Sequence, residues 1–272
     1  MRRVWLLLSL GLVCLPGCPP APDQTPPPKP PPPAVDLDPN APLPSPDELE
    51  KLARTDPVAF LRACLLRFRR EVLGYRATLQ KQDRLHGKLG PVEIIDVYER
   101  EQPFSVLLRW RSPPAGLVDR ALYVAGQNGG KALARGKYLH IIHARDPYGP
   151  DARDAGRYPL PEFGMGMATE RTLVAWHAAQ RRGNLKAEYL GVRPVPEAGG
   201  VTCYVLRRTC DPPEEDGIAC VEVAFDTDHW LQVANTLTGA DGQIVGAYYF
   251  RDVVLNPEFP PDLFTRAALT RD

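Results

Sequence analysis

Phe104-Ser105-Val106-Leu107-Leu108-Arg109-Trp110-Arg111 is the stretch that decides the fold. Phe104, Val106, Leu108 and Trp110 alternate with Ser105, Leu107, Arg109 and Arg111. A period of two is that of a strand with one face buried. Upstream, Tyr75, Ala77 and Leu79 alternate in the same way with Arg76, Thr78 and Gln80. Further strand-like runs fall at 121–125, 138–143, 187–192, 201–207, 219–225, 231–237 and 244–254. Turn signals separate several of them: Gln127-Asn128-Gly129-Gly130, the run from Pro212 to Gly217, and Ala240-Asp241-Gly242. Such short connections leave no room for crossover helices, so neighbouring strands are expected to pair antiparallel.

Helices bracket and interrupt these strands. Ser45-Pro46-Asp47-Glu48 carries a serine N-cap, a proline at the first helical position and a glutamate three residues on, the signature of a capping box. Asp56-Pro57 repeats the device. After it, Phe60, Cys64, Leu65 and Phe68 form an apolar stripe, with Arg62, Arg67, Arg69 and Arg70 around it, as in a helix packed on a sheet. Residues 169–182 carry Leu173, Trp176 and His177 at helical spacing and stop at Gly183-Asn184. The expected class is α+β: a curved antiparallel sheet with helices on one face, over residues 46–272 as one domain.

The N-terminus has a different character. Arg2 and Arg3 precede an apolar run from Val4 to Leu15, too short for a bilayer span of roughly 20 residues. Leu15-Pro16-Gly17-Cys18 then resembles a bacterial lipobox, so residues 1–17 are expected to be a lipoprotein signal peptide and Cys18 the lipidated residue. That predicts export and a lipid-anchored protein of the bacterial cell envelope, facing the periplasm or the outside, with the membrane as a partner. Fifteen of the 31 prolines lie in residues 1–50. Residues 18–45 therefore read as a disordered, Pro-rich linker of extended polyproline type. With 33 basic and 33 acidic side chains the chain lacks the basic excess of a nucleic-acid binder.

Two segments carry a family resemblance. One comprises Leu79-Gln80-Lys81-Gln82, Gly87-Lys88-Leu89 and Gln102 to Trp110. The other is Gly246-Ala247-Tyr248-Tyr249-Phe250-Arg251-Asp252-Val253 with Leu255-Asn256-Pro257 and Phe264-Thr265. Together they resemble domain-of-unknown-function family 1571, which in turn is similar to the carriers and sensors of outer-membrane lipoproteins. The resemblance implies a half-open β-barrel with helices on its concave face and an apolar hollow for acyl chains. It carries over no catalytic residue.

The chemistry-bearing residues are sparse. His140 and His143 lie three apart on a presumed strand, which points them to opposite faces and argues against a shared metal ion. Gly126 to Ala132 lacks the spacing and the Ser/Thr of a phosphate loop and reads as a hairpin turn. No catalytic constellation and no cofactor motif stands out, so a non-enzymatic protein is expected. With Cys14 in the expected signal peptide and Cys18 taken by the lipid, four cysteines remain. In an exported protein Cys210 and Cys220 are the favoured disulfide, with Cys203–Cys220 the alternative and Cys64 a buried thiol. Met165 and Met167, set between glycines, suit a lid that repacks around variable chains. Trp110, Tyr123, Trp176, Tyr189, Phe225, Trp230 and Tyr248 are the candidate cavity lining, or else the ordinary core between sheet and helices. The two functions these readings allow are hydrophobic-ligand binding and a structural or protein-interaction module of the envelope with a filled core.

Overall fold

The computed structural model describes residues 35–112 and 117–270. The signal peptide expected over 1–17, Cys18 as its expected lipidated residue and the proline-rich stretch as far as residue 34 lie outside the described residues. The remainder of that stretch is docked, not free. The Val35 amide donates to the Glu170 carboxylate at 2.9 Å, and Arg69 and Arg70 donate to the carbonyls of Val35 and Pro39. Leu37 and Leu43 pack on the core. Part of the basic face expected on the second helix is thus used to hold the incoming chain.

Helices α1 (Pro46–Thr55) and α2 (Pro57–Glu71) start where their caps predict. Ser45 and Glu48 form the capping box, and Asp56 accepts from the Ala59 amide. Strands β1 (Gly74–Leu85), β2 (Lys88–Leu89), β3 (Glu93–Arg100), β4 (Ser105–Ser112), β5 (Val118–Val124), β6 (Ala132–Gly136) and β7 (Ile142–Arg145) follow as hairpins. Then come α3 (Pro150–Ala155) and α4 (Met165–Arg181). The chain finishes in β8 (Lys186–Val195), β9 (Val201–Thr209), β10 (Ile218–Asp226), β11 (Gln232–Gly239) and β12 (Ile244–Leu255). All pairings are antiparallel, in the order β7-β6-β5-β4-β3-β1-β12-β11-β10-β9-β8, with β2 on β1. The two ends of the sheet do not meet, so the fold is a half-open barrel.

The central pair β1–β12 divides the concave face into two unlike halves. Over β8–β12, α1, α2 and α4 fill the hollow. Phe60 of α2 meets Phe225 and Tyr204 edge-on at 5.2 and 5.9 Å, and Leu49, Leu65, Leu173 and Trp176 are fully buried around them. Over β3–β7 no long helix among the described residues covers the concave face. There the convex face has a core of its own, where Leu263, Phe264, Ala268 and Leu269 lie on Leu107, Leu122, Val124 and Leu133. The apolar residues on both faces make this half of the sheet a wall between a packed outer core and whatever occupies the inner side.

Three expectations are corrected. Of the expected 138–143 strand only Ile142 and His143 are strand, in β7; before them the chain makes a turn over 137–139, with His140 at φ +53°. The methionine lid is helix: α4 starts at Met165, which is fully buried, with Met167 half-buried in the same first turn. The disulfide is absent, since Cys64, Cys203, Cys210 and Cys220 are all free. Cys220 pairs with Thr209, so Cys210 is one position out of phase and points to the opposite face. Cys203 pairs with Asp226, six residues along β10 from Cys220. At ~3.3 Å per residue this is about 20 Å, far beyond bridging distance.

Candidate functional site

The uncovered half encloses a cavity of about 700 Å³. Its floor is the inner face of the sheet: Leu79 of β1, Ile95 of β3, Leu108 and Trp110 of β4, Ala121 of β5, Ala132 and Ala134 of β6. These positions are in register across the strands, Leu79 with Ile95, Ile95 with Trp110, Leu108 with Ala121, Ala121 with Ala134. The hollow exists because every inward residue of β6 is small: Ala132, Ala134 and Gly136. Such a volume and an apolar lining are those of a small-molecule site.

The roof is the connection between β7 and α4. Tyr158, Leu160 and Phe163 reach down from it, and Tyr158 and Phe163 contact Tyr248 and Phe250 at 5.5 and 6.3 Å. Helix α3, which has no buried residue, is fastened by polar ties instead of packing. Lys81 donates to the Ala155 carbonyl at 3.0 Å, His86 meets Asp154 at 2.9 Å, and Arg145 meets Asp151 at 3.1 Å. The mouth is apolar and open to solvent. Leu117, Tyr138, Leu139 and Ile141 line it with 70, 72, 79 and 49% exposure, an unusual concentration of exposed apolar side chains.

Of the residues singled out from sequence, Trp110 and Tyr248 line the cavity. The others do not. Trp176, Phe225 and Trp230 belong to the filled half, with Trp230 stacked under Arg67. Tyr189 donates to Glu50 on α1, and burial together with that bond pushes its hydroxyl pKa beyond the ordinary tyrosine range. Tyr123 packs on Phe104 toward the far end of β4 and β5. The sequence reading sought large side chains, whereas the hollow owes its room to the small residues of β6, and the further rings that line it, Tyr138, Tyr158, Phe163 and Phe250, were not among those singled out.

One polar group is built into the cavity wall, and a second lies behind it at the start of α4, where Gly164 lines the cavity. Lys81 is held between Glu93 at 3.0 Å and Asp83 at 3.4 Å, and Asp83 also accepts from the Tyr248 hydroxyl. Burial raises the Glu93 carboxyl, and Lys81 opposes the shift. At the start of α4 the Met165 amide donates to the Tyr75 hydroxyl at 3.2 Å, which donates to Glu99 at 2.8 Å. Burial, with Glu101 second, pushes the Glu99 carboxyl well above the usual range. A carboxyl that keeps its proton in the fold but releases it on unfolding makes stability fall as pH rises above the free value of about 4.3. Glu99→Gln retains the acceptor for Tyr75 and removes that linkage. Thermal melts are expected to show the variant more stable than the parent at pH 8, with the gap closing toward pH 4. An equal gap at both ends of the range would remove Glu99 as the source.

The fold and the site together define a half-barrel that holds an apolar cavity under a polar-tied roof. The description "Protein of unknown function (DUF1571)" matches residues 72–268, and the chain belongs to that family. No curated protein matches it in sequence at a significant level. Among solved structures it is similar to MucB in the Pseudomonas aeruginosa MucA/MucB complex, with 16% identity and a TM-score of 0.47, covering 79% of this chain and 62% of that one. It thus spans about three fifths of that protein. The Mycobacterium tuberculosis lipoprotein LppX follows at 11% and 0.36, covering 75% and 99%. A LolA superfamily protein from Nitrosomonas europaea gives 9% and 0.32, covering 76% and 98%.

Proposed function

We propose that this protein is an envelope-anchored lipoprotein that holds a hydrophobic ligand, a lipid or the acyl chain of a lipoprotein, in the cavity over β1–β7. The observation that carries this reading is an apolar hollow of about 700 Å³ opening through a rim of exposed Leu117, Tyr138, Leu139 and Ile141. Burying an acyl chain there contributes about 0.8 kcal/mol per methylene, which suffices for retention without a covalent step, and the protein acts as a binder and not as an enzyme. Anchoring rests on the lipobox-like Leu15 to Cys18, and among the described residues no helix is long and apolar enough to cross a membrane. A tether suits a stationary acceptor or sensor better than a shuttle. A filled-core interaction module fits only the β8–β12 half.

The test is lipid extraction from the purified full chain, followed by mass spectrometry, with displacement of a dansylated fatty acid as a second readout. About one equivalent of lipid beyond the anchor is expected, as for a single preformed pocket. Recovery of anchor lipid alone, together with no probe binding, overturns the reading.

A further inference from the structure

We infer that the ligand is an amphiphile with an anionic head, seated head-inward, its oxyanion against Arg171 and Gln232 and its chain running over the alanine floor toward the mouth. The inference deepens the cavity reading above and rests on it. It comes from the unlike ends of the cavity. From Tyr248 on β12 to β6 the floor crosses five strand spacings, about 24 Å at 4.8 Å each, and between these ends it is largely apolar.

At the α4 end, two donors are left over. Arg171 lines the cavity with its guanidinium 4.0 Å above the Tyr158 ring, and it donates to the Glu162 carbonyl oxygen. Both contacts are neutral, and no ion pair with a described residue compensates its charge. The other cations of the wall differ: Lys81 has Glu93 and Asp83, and Arg145 has Asp151. Gln232 lies on the same wall and is 1% exposed. Its Oε1 accepts from Thr172, the residue after Arg171 on α4, at 3.2 Å, and its Nε2 has no partner among the described residues. A buried donor left unmade costs about 1–3 kcal/mol, and a half-buried guanidinium without a counter-charge favours an anion beside it.

The neighbouring Asn235 amide, whose Oδ1 is likewise unpartnered, supplies a further donor after an amide flip. A carboxylate or phosphate therefore finds a cation and amide N–H groups at this end. The chain then follows Leu79, Ile95, Leu108 and Ala121 and leaves between Leu117 and Leu139, where the exposed rim suits an apolar surrounding.

The experiment is competition for the dansyl probe on the full chain at pH 8, with palmitate, palmitoyl lysophosphatidate and hexadecanol. At least one of the two anions is expected to bind about tenfold more tightly than the alcohol, the scale of one charge-assisted bond. A preference for palmitate alone assigns a fatty acid, for lysophosphatidate alone a phospholipid head, and for both a general oxyanion site; each supports the inference. Arg171→Gln is expected to collapse the anion-to-alcohol ratio. Because that change also removes the Tyr158 stack, Gln232→Glu serves as a second variant, nearly isosteric, able to keep the Thr172 bond and placing a negative charge at the head position. The ratio should fall there too. Equal binding of anions and alcohol by the parent, or a ratio unmoved in both variants, overturns the inference and leaves the cavity reading standing. Binding of none of the three overturns both.

Discussion

Ala121→Phe combined with Ala134→Phe is expected to abolish lipid uptake while leaving the protein folded. The two alanines face each other across β5 and β6 on the cavity floor. Rings placed there project into open space, so the overpacking that usually penalises small-to-large changes in a core does not arise. What is lost is room. Excluding only four methylenes of a bound chain at about 0.8 kcal/mol each removes roughly 3 kcal/mol, a hundredfold or more in affinity. The measurement is titration of the dansylated fatty acid into parent and variant, with a thermal melt of each as the folding control. Retained binding at parental affinity would place the ligand elsewhere, and the β3–β7 hollow would lose its role.

The same geometry explains why one half of the barrel is empty and the other is not. Over β8–β12 the inward side chains, among them Leu206, Val223 and Phe225, meet large partners from α2. Over β5 and β6 they are Ala121, Ala132 and Ala134, and the covering segment is a short helix with nothing buried. The α3 part of the roof, tied by Lys81, His86 and Arg145 and burying no side chain of its own, can lift without disturbing a core, whereas α2 and α4 cannot leave without exposing one. In the binding proposed above, entry falls to the half with polar fastenings.

How far this was legible in the sequence varies with how local the determining physics is. Both helix starts were readable because a capping box and an Asp-Pro cap act within four residues. The alternating runs of β1 and β4 were readable because their inward residues are the apolar ones. In β3 they are Glu93, Ile95, Val97 and Glu99, with acids at both ends, while the outward Tyr98 is packed under the C-terminal segment. In β6 the polarity is inverted: Leu133 points to the outer core, and Ala132 and Ala134 point to the hollow. Neither strand shows the expected pattern, and the inversion in β6 is itself the signal of a cavity. Tyr138–Ile141 misled for the opposite reason, since an apolar run there serves an exposed rim and not a strand. The cysteines failed because spacing along the chain says nothing about which face a thiol occupies, and the β9–β10 register decides that.

Gly164→Ala should be the most destabilising single-methyl change in the molecule. Gly164 caps α4 at φ +104° and ψ 171°, a conformation essentially confined to glycine. A methyl group there would lie 1.9 Å from Glu99 Oε2 and 2.6 Å from its carboxyl carbon. Glu99 has nowhere cheap to go, being fully buried and bound to Tyr75, whose hydroxyl in turn holds the Met165 amide at the start of α4. The backbone strain of about 1–3 kcal/mol and the cost of forcing a buried contact apart, again about 1–3 kcal/mol, act together. The loss expected is about 4 kcal/mol, or roughly 8–16 °C in melting temperature for a domain of this size. Gly183→Ala supplies the reference for positive φ without a clash: Gly183 has φ +70°, but an added Cβ meets nothing within 4 Å. It should lose only about 1 kcal/mol, the usual cost of a side chain in the left-handed region. Melts of the two variants beside the parent decide the matter. Equal losses would mean that φ alone governs both sites, and that the packing of Gly164 on Glu99 contributes nothing to holding the roof segment at the head of α4.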